Sequence, residues 1–321
     1  MRFVSFICSI LVLIPFFSVH AQTANTISGS ALSITLDPQF PNPGESVTAT
    51  INDYAINGSG SSIVWYFDGH ELPSMRNKRS ITVPSDKNGA DGTVSARLLF
   101  SDKPTIQADA TIHPIYLDVI IEPQTYTPIF YAGRALPVYG STVNLTALMQ
   151  LGSTMINPQN NSYIWELNGT VLYGGPQRGN NRAQITIPYG LSSTLIVTVQ
   201  NEKGIIIGRR LIEIPSVPVE LEFYEESALY GLNSRAINKT LHVINNSTIR
   251  AVPYYLATNA MINNTIQSEW TINGKTENTA SDNPFEISLQ SNGAGDATIG
   301  FKFRNLDQLI QGDTKSFLAT F

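Results

Sequence analysis

Histidines and clustered acids are the residues of this chain best suited to bind a metal or transfer protons. Beyond the N-terminal segment the histidines are His70, His113 and His242, which are too far apart in the sequence to form a metal-binding motif. No His-Glu-x-x-His, Gly-x-Ser-x-Gly or phosphate-binding loop is present. We therefore expect no metal, no cofactor and no catalytic residue, and we interpret the chain as a protein without enzyme activity.

One acidic segment is similar to a calcium-binding loop. Residues 86–91 read Asp-Lys-Asn-Gly-Ala-Asp, so oxygen-bearing side chains occupy its first, third and sixth positions. A calcium loop of the EF-hand type also uses a ligand at the fifth position and a glutamate at the twelfth. Because Ala90 stands at the fifth position and no glutamate follows at the twelfth, we expect a turn and not a calcium site.

Two loops combine an aromatic residue with an arginine. The segment that contains Tyr131 and Arg134 is similar to the segment that contains Tyr230 and Arg235. Aromatic residues and arginine dominate binding hot spots, so one interpretation is a pair of recognition loops. The other is that each loop packs against the preceding domain and fixes the angle between two domains. We favour the second interpretation, because the first repeat has no predecessor and also lacks the segment.

Tyrosines offer a further candidate chemistry, which is stacking on sugar rings. Most of the 13 tyrosines and 14 phenylalanines are expected in hydrophobic cores. Tyr126, Tyr173 and Tyr189 are candidates for exposed positions. Exposed aromatic residues indicate a carbohydrate site when they cluster.

Three repeated β units must position these residues. The pentapeptide Trp65-Tyr-Phe-Asp-Gly69 returns as Trp165-Glu-Leu-Asn-Gly169 and as Trp270-Thr-Ile-Asn-Gly274. Each copy predicts a short strand that ends in Asp-Gly or Asn-Gly, a pair that favours a tight hairpin turn. The residue two after each tryptophan is apolar and shares its face of the strand. We predict that Trp65, Trp165 and Trp270 are core residues of three similar domains.

Short alternating segments bounded by turn residues predict strands along the rest of the chain. Roughly seven strands per hundred residues, without long runs of helical periodicity, are typical of an antiparallel sandwich. The predicted domains are residues 30–114, 115–215 and 216–321. Both joins contain proline: Pro114 lies at the first, and Pro215 and Pro218 lie at the second. Because proline fixes φ, we expect stiff connectors and a semi-rigid rod of three modules.

The N-terminus has the composition of an export signal. After Arg2, residues 3–19 are mostly apolar, and Val19-His-Ala21 provides a small-residue cleavage site. We predict a signal peptide over residues 1–21 and a flexible segment over residues 22–29; the alternative is that residues 1–21 remain as an N-terminal anchor. We expect no transmembrane segment in the mature chain. The single cysteine, Cys8, lies in the signal, so the mature chain would have no disulfide.

Charge argues against nucleic acid as a partner. Only 14% of the residues are charged, the net charge is −5, and the Lys and Arg residues are dispersed. A nucleic-acid-binding protein usually carries a concentrated basic surface. The surface must therefore consist largely of uncharged polar residues.

The tryptophan on the third strand of each unit, with Ile63 or Tyr163 two residues earlier, resembles the immunoglobulin-like pattern. Because the usual cysteine pair is missing, the chain resembles disulfide-free bacterial immunoglobulin-like and polycystic-kidney-disease-like modules. The three-module layout behind an export signal is also similar to that of surface proteins from uncultured small-genome bacteria. The resemblance covers about residues 30 to 321. It implies tandem β-sandwiches and an exterior location, and it implies no catalytic residue.

Our leading functional hypothesis is therefore an exported, non-enzymatic surface or secreted protein with an adhesive or structural role in the envelope or its appendages. It would display loops and sheet edges to a protein or a glycan, and edge strands can pair with a strand of a partner. The alternative is a carbohydrate-binding accessory protein, which a cluster of exposed aromatic residues would favour. An enzyme would require a polar cleft with perturbed carboxylates.

Overall fold

The computed structural model describes residues 32–53, 62–101, 104–278 and 282–321. These residues form six β-sheets that pack in pairs around three hydrophobic cores. The predicted all-β fold of three tandem sandwiches is therefore confirmed. With a single cysteine, the chain cannot form an internal disulfide. The predicted signal peptide and the segment 22–29 lie outside the described residues.

The first sandwich packs a three-stranded sheet on a four-stranded one. Its strands are β1 (Leu32–Asp37), β2 (Ser46–Asp53), β3 (Ser62–Phe67), β4 (His70–Glu71), β5 (Ser80–Pro84), β6 (Gly92–Leu99) and β7 (Ile106–Ile112), with a 3-10 turn at Pro73–Met75. The sheets have the orders β1-β2-β5 and β4-β3-β6-β7, and all neighbouring strands are antiparallel.

The second sandwich repeats this plan with two short additional strands, β10 and β13. Its strands are β8 (Tyr116–Pro123), β9 (Thr142–Leu151), β10 (Thr154–Met155), β11 (Ser162–Leu167), β12 (Thr170–Val171), β13 (Gln177–Arg178), β14 (Arg182–Thr186), β15 (Ser192–Gln200) and β16 (Ile206–Pro215), with a 3-10 turn at Pro158–Asn160. One sheet pairs β9 with β8, β14 and β10. The other has the order β12-β11-β15-β16, and β13 also pairs with β11.

The third sandwich contains the one helix of the described residues and a parallel strand pair. Its elements are β17 (Glu220–Ser227), β18 (Gly231–Leu232), β19 (Thr240–His242), β20 (Asn246–Tyr254), α1 (Thr258–Ile262), β21 (Ile266–Ile272), β22 (Lys275–Glu277), β23 (Glu286–Gln290), β24 (Asp296–Asn305) and β25 (Gly312–Thr320). The sheets have the orders β18-β17-β20-β23 and β19-β25-β24-β21-β22, in which β19 runs parallel to β25.

The principal strands are distributed between the two sheets in the same way in all three sandwiches. Each sandwich has six long strands, of which the first, second and fourth form one sheet and the third, fifth and sixth form the other. This distribution is the arrangement of immunoglobulin-like and fibronectin-type sandwiches. Each sandwich therefore buries one face of each of its two sheets in a shared core.

The three tryptophans occupy equivalent buried positions. Trp65, Trp165 and Trp270 each lie in the core of one sandwich. A buried indole N–H needs an acceptor, and in each case a backbone carbonyl ahead of the next long strand provides it. The acceptors are the carbonyl oxygens of Lys78, Asn180 and Pro284, at 2.8, 3.0 and 3.2 Å.

The turn after each tryptophan strand explains why the sequence repeats Asp-Gly or Asn-Gly. The first turn residue has φ of 48°, 48° and 52° at Asp68, Asn168 and Asn273, and the glycine that follows is also left-handed. Asp, Asn and Gly tolerate this backbone best. In each turn the side-chain oxygen also accepts a hydrogen bond across the sandwich sheet. The donors are the backbone N–H groups of Thr93, Thr194 and Thr298, at 2.7, 2.8 and 2.8 Å.

Candidate interaction surface

The two aromatic–arginine loops lie at the junction between the second and third sandwiches. The first loop, residues 124–140, connects β8 to β9 but forms backbone hydrogen bonds with the third sandwich. Tyr126 N–H donates to the Leu256 carbonyl at 2.8 Å, and Tyr255 N–H donates back to the Tyr126 carbonyl at 2.7 Å. Paired backbone groups of this kind fix the path of a loop, because each bond constrains both chains.

Side chains from both loops cover the outer face of the β17–β20 sheet. We call this group the junction cluster. Its buried members are Tyr224, Val252, Tyr254 and Tyr255, and its partly buried members are Tyr126, Phe130, Tyr131, Leu136, Val217, Leu232 and Ala236. The outer face of a sandwich sheet is usually polar, so an apolar outer face indicates that something covers it. Here the first loop, the connector and the second loop provide the cover.

Tyr131 is held at the centre of the junction cluster by rings and by its hydroxyl. Its ring meets Tyr254 edge-on, with centroids 5.3 Å apart and planes at 78°. Its hydroxyl is hydrogen-bonded to the Tyr255 hydroxyl at 2.7 Å. Tyr224 and Tyr254 share a second hydroxyl–hydroxyl bond of 2.6 Å. Buried phenols require such partners, so the four tyrosines specify one arrangement of the junction.

The environment of the junction cluster favours neutral phenols. Burial raises the pKa of Tyr254 and of Tyr224, and the hydrogen bond between the two raises that of Tyr254 further. Burial, assisted by the Tyr131 hydroxyl, raises the pKa of Tyr255 to about 12. Burial also raises the pKa of Tyr126, against the opposing charge of Arg250. Ionisation of these phenols therefore destabilises the packing of the junction cluster.

A second set of contacts reaches deeper into the third sandwich. Val138, which precedes β9, is buried with the core residues of the third sandwich. The buried side chain of Gln311 donates through Nε2 to the Tyr139 carbonyl at 2.8 Å, and its Oε1 accepts from Asn305 Nδ2 at 3.0 Å. Loss of a buried hydrogen bond of this kind leaves an unsatisfied polar group. The second sandwich is thus joined to the third by core packing as well as by the junction cluster.

Of the four predicted loop residues, the structure partly buries one, Tyr131. Tyr131 contacts residues that follow it, so the expectation that its loop packs against the preceding domain was wrong. The reason is that the β8–β9 connection lies at the end of the second sandwich from which the chain leaves, next to Val217. The second loop does face backwards, because Leu232 and Ala236 pack against the junction cluster. Arg134, Tyr230 and Arg235 are exposed.

Exposed apolar tips flank the junction cluster. Ile129 is fully exposed and directly precedes Phe130, whose ring packs 5.1 Å from Tyr224. Leu229 is exposed and Tyr230 is 85% exposed. The backbone N–H groups of both bond to the Ser227 hydroxyl, at 3.2 and 3.3 Å. The tips are therefore apolar, accessible and anchored in ordered structure.

The three tyrosines proposed for sugar stacking have three different environments. Tyr126 belongs to the junction cluster, so the expectation that it is exposed was wrong. The Tyr173 hydroxyl donates to the Gln184 carbonyl and accepts from the Gln184 N–H, both at 2.9 Å, and thereby caps the edge of β14. Tyr189 is 78% exposed, and its ring meets that of Tyr139 edge-on at 5.6 Å. The structure does not bring these three rings together.

The segment similar to a calcium loop forms a turn at the first junction. Asp86 Oδ1 accepts from the backbone N–H groups of Asn88 and Ala90, at 2.7 and 3.1 Å. Asp91 Oδ1 lies 2.8 Å from His113 Nδ1. The two carboxylates thus serve different partners. Within the described ranges, no three His, Cys, Asp or Glu side chains converge in a way that could hold a metal.

The same turn contacts the second sandwich. A Cβ atom added to Gly152, in the β9–β10 turn, would lie 2.9 Å from the Asn88 carbonyl oxygen. One added to Gly89 would lie 3.0 Å from the Gly152 nitrogen. The connector is tied back to the first sandwich by a bond of 3.1 Å from Ile115 N–H to the Pro41 carbonyl. These three approaches between the first two sandwiches are all made by backbone atoms.

Glu269 is a carboxylate whose environment changes its titration. Hydrogen bonds from Lys302, 2.9 Å away, and from Thr276 lower the pKa of its carboxyl. A lowered pKa keeps the group ionised near neutral pH, whereas a general acid needs a raised one. Glu269 is thus an ion-pair partner on a sheet surface and gives no support to the enzyme hypothesis.

Neither protein-family models nor curated protein sequences match this chain. Several solved structures of tandem-domain proteins align with it. The three N-terminal domains of the highly immunogenic outer capsid protein of bacteriophage RB49 are 15% identical, with 90% of this chain and 95% of that one covered and a TM-score of 0.26.

Two further structures align over a similar length. A bacterial ice-binding adhesin is 12% identical, with 90% of this chain and 95% of that one covered and a TM-score of 0.25. The SGBP-B protein of a Bacteroides ovatus mixed-linkage glucan utilization locus, solved with a heptasaccharide, is 15% identical, with 88% and 66% covered and a TM-score of 0.23. At these scores the alignments carry no argument about function.

In the part of the chain that the structure describes, no helix has the length and apolar character needed to cross a bilayer.

Proposed function

We propose that this chain is an exported protein that acts by binding, without enzyme activity, at the cell surface or outside the cell. Its role is adhesive or structural, in the envelope or its appendages, and its partner is a protein or a glycan. The predicted signal over residues 1–21 and the resemblance to modular surface proteins agree with this role. They stay predictions, as do the domain limits 30–114, 115–215 and 216–321.

The observation that carries the proposal is the pair of exposed apolar tips beside the junction cluster. Ile129 lies on one loop, and Leu229 and Tyr230 lie on the other, with Arg134 and Arg235 exposed further along the same loops. Exposed apolar residues on an ordered scaffold are typical of interaction sites, and aromatic residues with arginine dominate hot spots. A fixed junction also lowers the conformational entropy lost on binding, because the loops are already ordered.

The test is binding of beads coated with the exported chain to the surface of the producing cells. Leu229→Ser combined with Tyr230→Ala should reduce bead retention by about tenfold or more, as expected for loss of a hot spot. Arg134→Ala and Arg235→Ala test the polar part of the same surface. Ile244→Ser, which alters an exposed apolar residue in the turn before β20, is the matched control.

Equal retention by the loop variants and the control would contradict a role for these tips. Small-angle scattering must accompany each variant, because a change of overall shape would assign the loss to the junction and not to recognition. Retention that falls with unchanged shape supports a direct contact between the tips and a partner.

Carbohydrate binding is the second candidate, and the exposure of Tyr189 favours it. The edge contact with Tyr139 orients the Tyr189 ring while leaving most of it accessible. A glycan array probed with the exported chain and with Tyr189→Ala separates the two candidates. Array signals that disappear in Tyr189→Ala but persist in Tyr230→Ala would favour the carbohydrate-binding function over the loop-mediated one.

A further inference from the structure

The edges of the six sheets differ in how far their backbone groups are covered. In the third sandwich, β19 pairs with β25 over Leu318–Thr320 and covers that edge. In the second sandwich, the Tyr173 hydroxyl caps β14 at Gln184. By contrast, β16 is the last strand of its sheet, and β15 is its one hydrogen-bonded neighbour among the described strands. An open edge of this length is a template for another strand.

The outward-facing side chains of β16 are unusual for an open edge. Arg209, Leu211 and Glu213 alternate along the exposed face, and Leu211 is 59% exposed at the centre. The Arg209 side chain takes part in no hydrogen bond or ion pair with the described residues, and the Glu213 carboxylate accepts one bond, of 2.9 Å, from the Thr194 hydroxyl. The strand therefore presents an exposed apolar residue between a free cation and an anion.

This pattern is complementary to itself in an antiparallel arrangement. If two β16 strands pair about a two-fold axis at Leu211, each Arg209 lies directly opposite Glu213 of the second copy. The two Leu211 side chains meet between these two ion pairs. Directly opposite residues of an antiparallel pair have Cβ atoms about 4.5–5.5 Å apart, close enough for both kinds of contact. Oppositely charged pairs favour this register, and a slip by one residue removes them.

The corresponding strand of the first sandwich lacks this complementarity. The exposed face of β7 carries Gln107, Asp109 and Thr111. Pairing about its central residue would place Asp109 opposite Asp109 of a second copy, and like charges directly opposite are destabilising. These side chains are also engaged already, because Arg97 donates to Gln107 and Gln107 donates to Asp109, both at 2.8 Å. The difference between the two strands points to β16 as the edge that pairs.

We propose that β16 is a homodimerisation edge, and that its occupant is the β16 strand of a second copy of this chain. The dimer joins two β12-β11-β15-β16 sheets into one continuous sheet, with Leu211 on the two-fold axis. A single strand pair buries less surface than a stable interface of about 1,200–2,000 Å². The dimer is therefore weak in dilute solution and becomes populated where many copies are held close together. This inference does not depend on the proposed binding role of the loop tips.

Charge reversal tests the pairing in the full chain by sedimentation over a concentration series. Arg209→Glu places two like-charged pairs in the dimer, as does Glu213→Arg, so each should weaken self-association by about tenfold or more. The double variant Arg209→Glu/Glu213→Arg restores opposite charges and should return to within about threefold of the wild type. Asp109→Arg, on β7, is the matched control and should leave self-association unchanged.

Cysteine cross-linking tests the register. Cys8 is replaced by serine in every variant, so that each introduced thiol is the only one. Leu211→Cys should form an intermolecular disulfide, because Cα atoms opposite each other in antiparallel strands are about 4.5–5.5 Å apart, within disulfide range. Arg209→Cys and Glu213→Cys should cross-link when mixed with each other but not when either variant is alone. Asp109→Cys is the control that should not cross-link.

Three results would overturn the proposal. The first is a chain that stays monomeric up to about 1 mM, well above the range of weak specific complexes. The second is self-association that neither single charge reversal weakens, or that the double variant fails to restore. The third is cross-linking of Asp109→Cys as efficient as that of Leu211→Cys, which would indicate random collision.

Discussion

At the first junction, Asn88 and Gly89 approach Gly152 through backbone atoms, and one hydrogen bond ties Ile115 to Pro41. At the second junction, four tyrosines, a buried glutamine and a valine placed in the neighbouring core hold the sandwiches together. Both joins contain proline in the connecting segment. The connectors therefore do not account for the difference between the two junctions, since the additional contacts at the second junction come from the loop between β8 and β9.

The largest expected effect comes from removing an aromatic ring at the second junction. Tyr254→Ala deletes a buried ring that contacts Tyr131 and Tyr224, and should lower the free energy of unfolding of the third sandwich by about 3–5 kcal/mol. Chemical denaturation with small-angle scattering measures both stability and shape. Tyr189→Ala, at an exposed ring near the same junction, is the control, and an equal loss in both variants would contradict the assigned importance of the cluster.

The second-largest effect is expected at alkaline pH, which should weaken the second junction. The pKa of Tyr255 is raised from its ordinary value of 10.0 to about 12, so the neutral phenol is favoured in the folded chain. The associated stability is complete below about pH 10 and is lost as the pH rises through about 12. Denaturation between pH 9 and 12 should show a smaller loss in Tyr255→Phe than in the wild type. Equal losses would show that ionisation of this phenol is not coupled to the junction.

A moderate effect on stability is expected when a side chain is added at Gly152, where the two sandwiches of the first junction approach each other. Gly152 has φ of 59°, and a Cβ there would lie 2.9 Å from the Asn88 carbonyl oxygen. Gly169 has φ of 79° but open space around it. Alanine at either position should cost about 1 kcal/mol or more from the left-handed backbone. Gly152→Ala should in addition broaden the distance distribution in small-angle scattering, and identical scattering of the two variants would argue against the backbone contact.

The smallest effect is expected at the ion pair beside the first junction. His113 and Asp91 are both well exposed, so loss of their contact in His113→Ala should change stability by less than about 1 kcal/mol. The change should also leave the scattering curve unaltered. A larger loss would show that this pair holds the junction and would reduce the contrast between the two joins.

The sequence predicted the features whose causes are local. The Asp-Gly or Asn-Gly turn after each tryptophan depends on residues that are adjacent in the chain, so its recurrence identifies three equivalent strands. The second junction depends on contacts such as that between Tyr131 and Tyr255, which are 124 residues apart. The residues next to Tyr254 and Tyr255 in the chain give no local indication of this contact. The apolar outer face formed by Tyr224, Val252 and Tyr254 was the available signal, since alternation should have placed polar residues there.

No local pattern indicates that Val138 is a core residue of the third sandwich. It lies in a turn-rich loop between two strands of the second sandwich, and a single apolar residue in such a loop has no periodicity to reveal its partner. Gln311 is a similar case, because a lone glutamine gives no indication of burial. Long-range packing of loops between sandwiches is therefore the part of this structure that local patterns do not predict.

The parallel pair of β19 and β25 has a mechanical consequence. When tension is applied along the chain, the contacts Thr240–Leu318, Leu241–Ala319 and His242–Thr320 are loaded in shear and must yield together. The corresponding place in the second sandwich has the single bridge between Val138 and Val217. A domain resists pulling when its rate of forced unfolding is low. That rate is higher when fewer hydrogen bonds carry the applied force. The third sandwich should therefore unfold after the second when tension is applied to the chain.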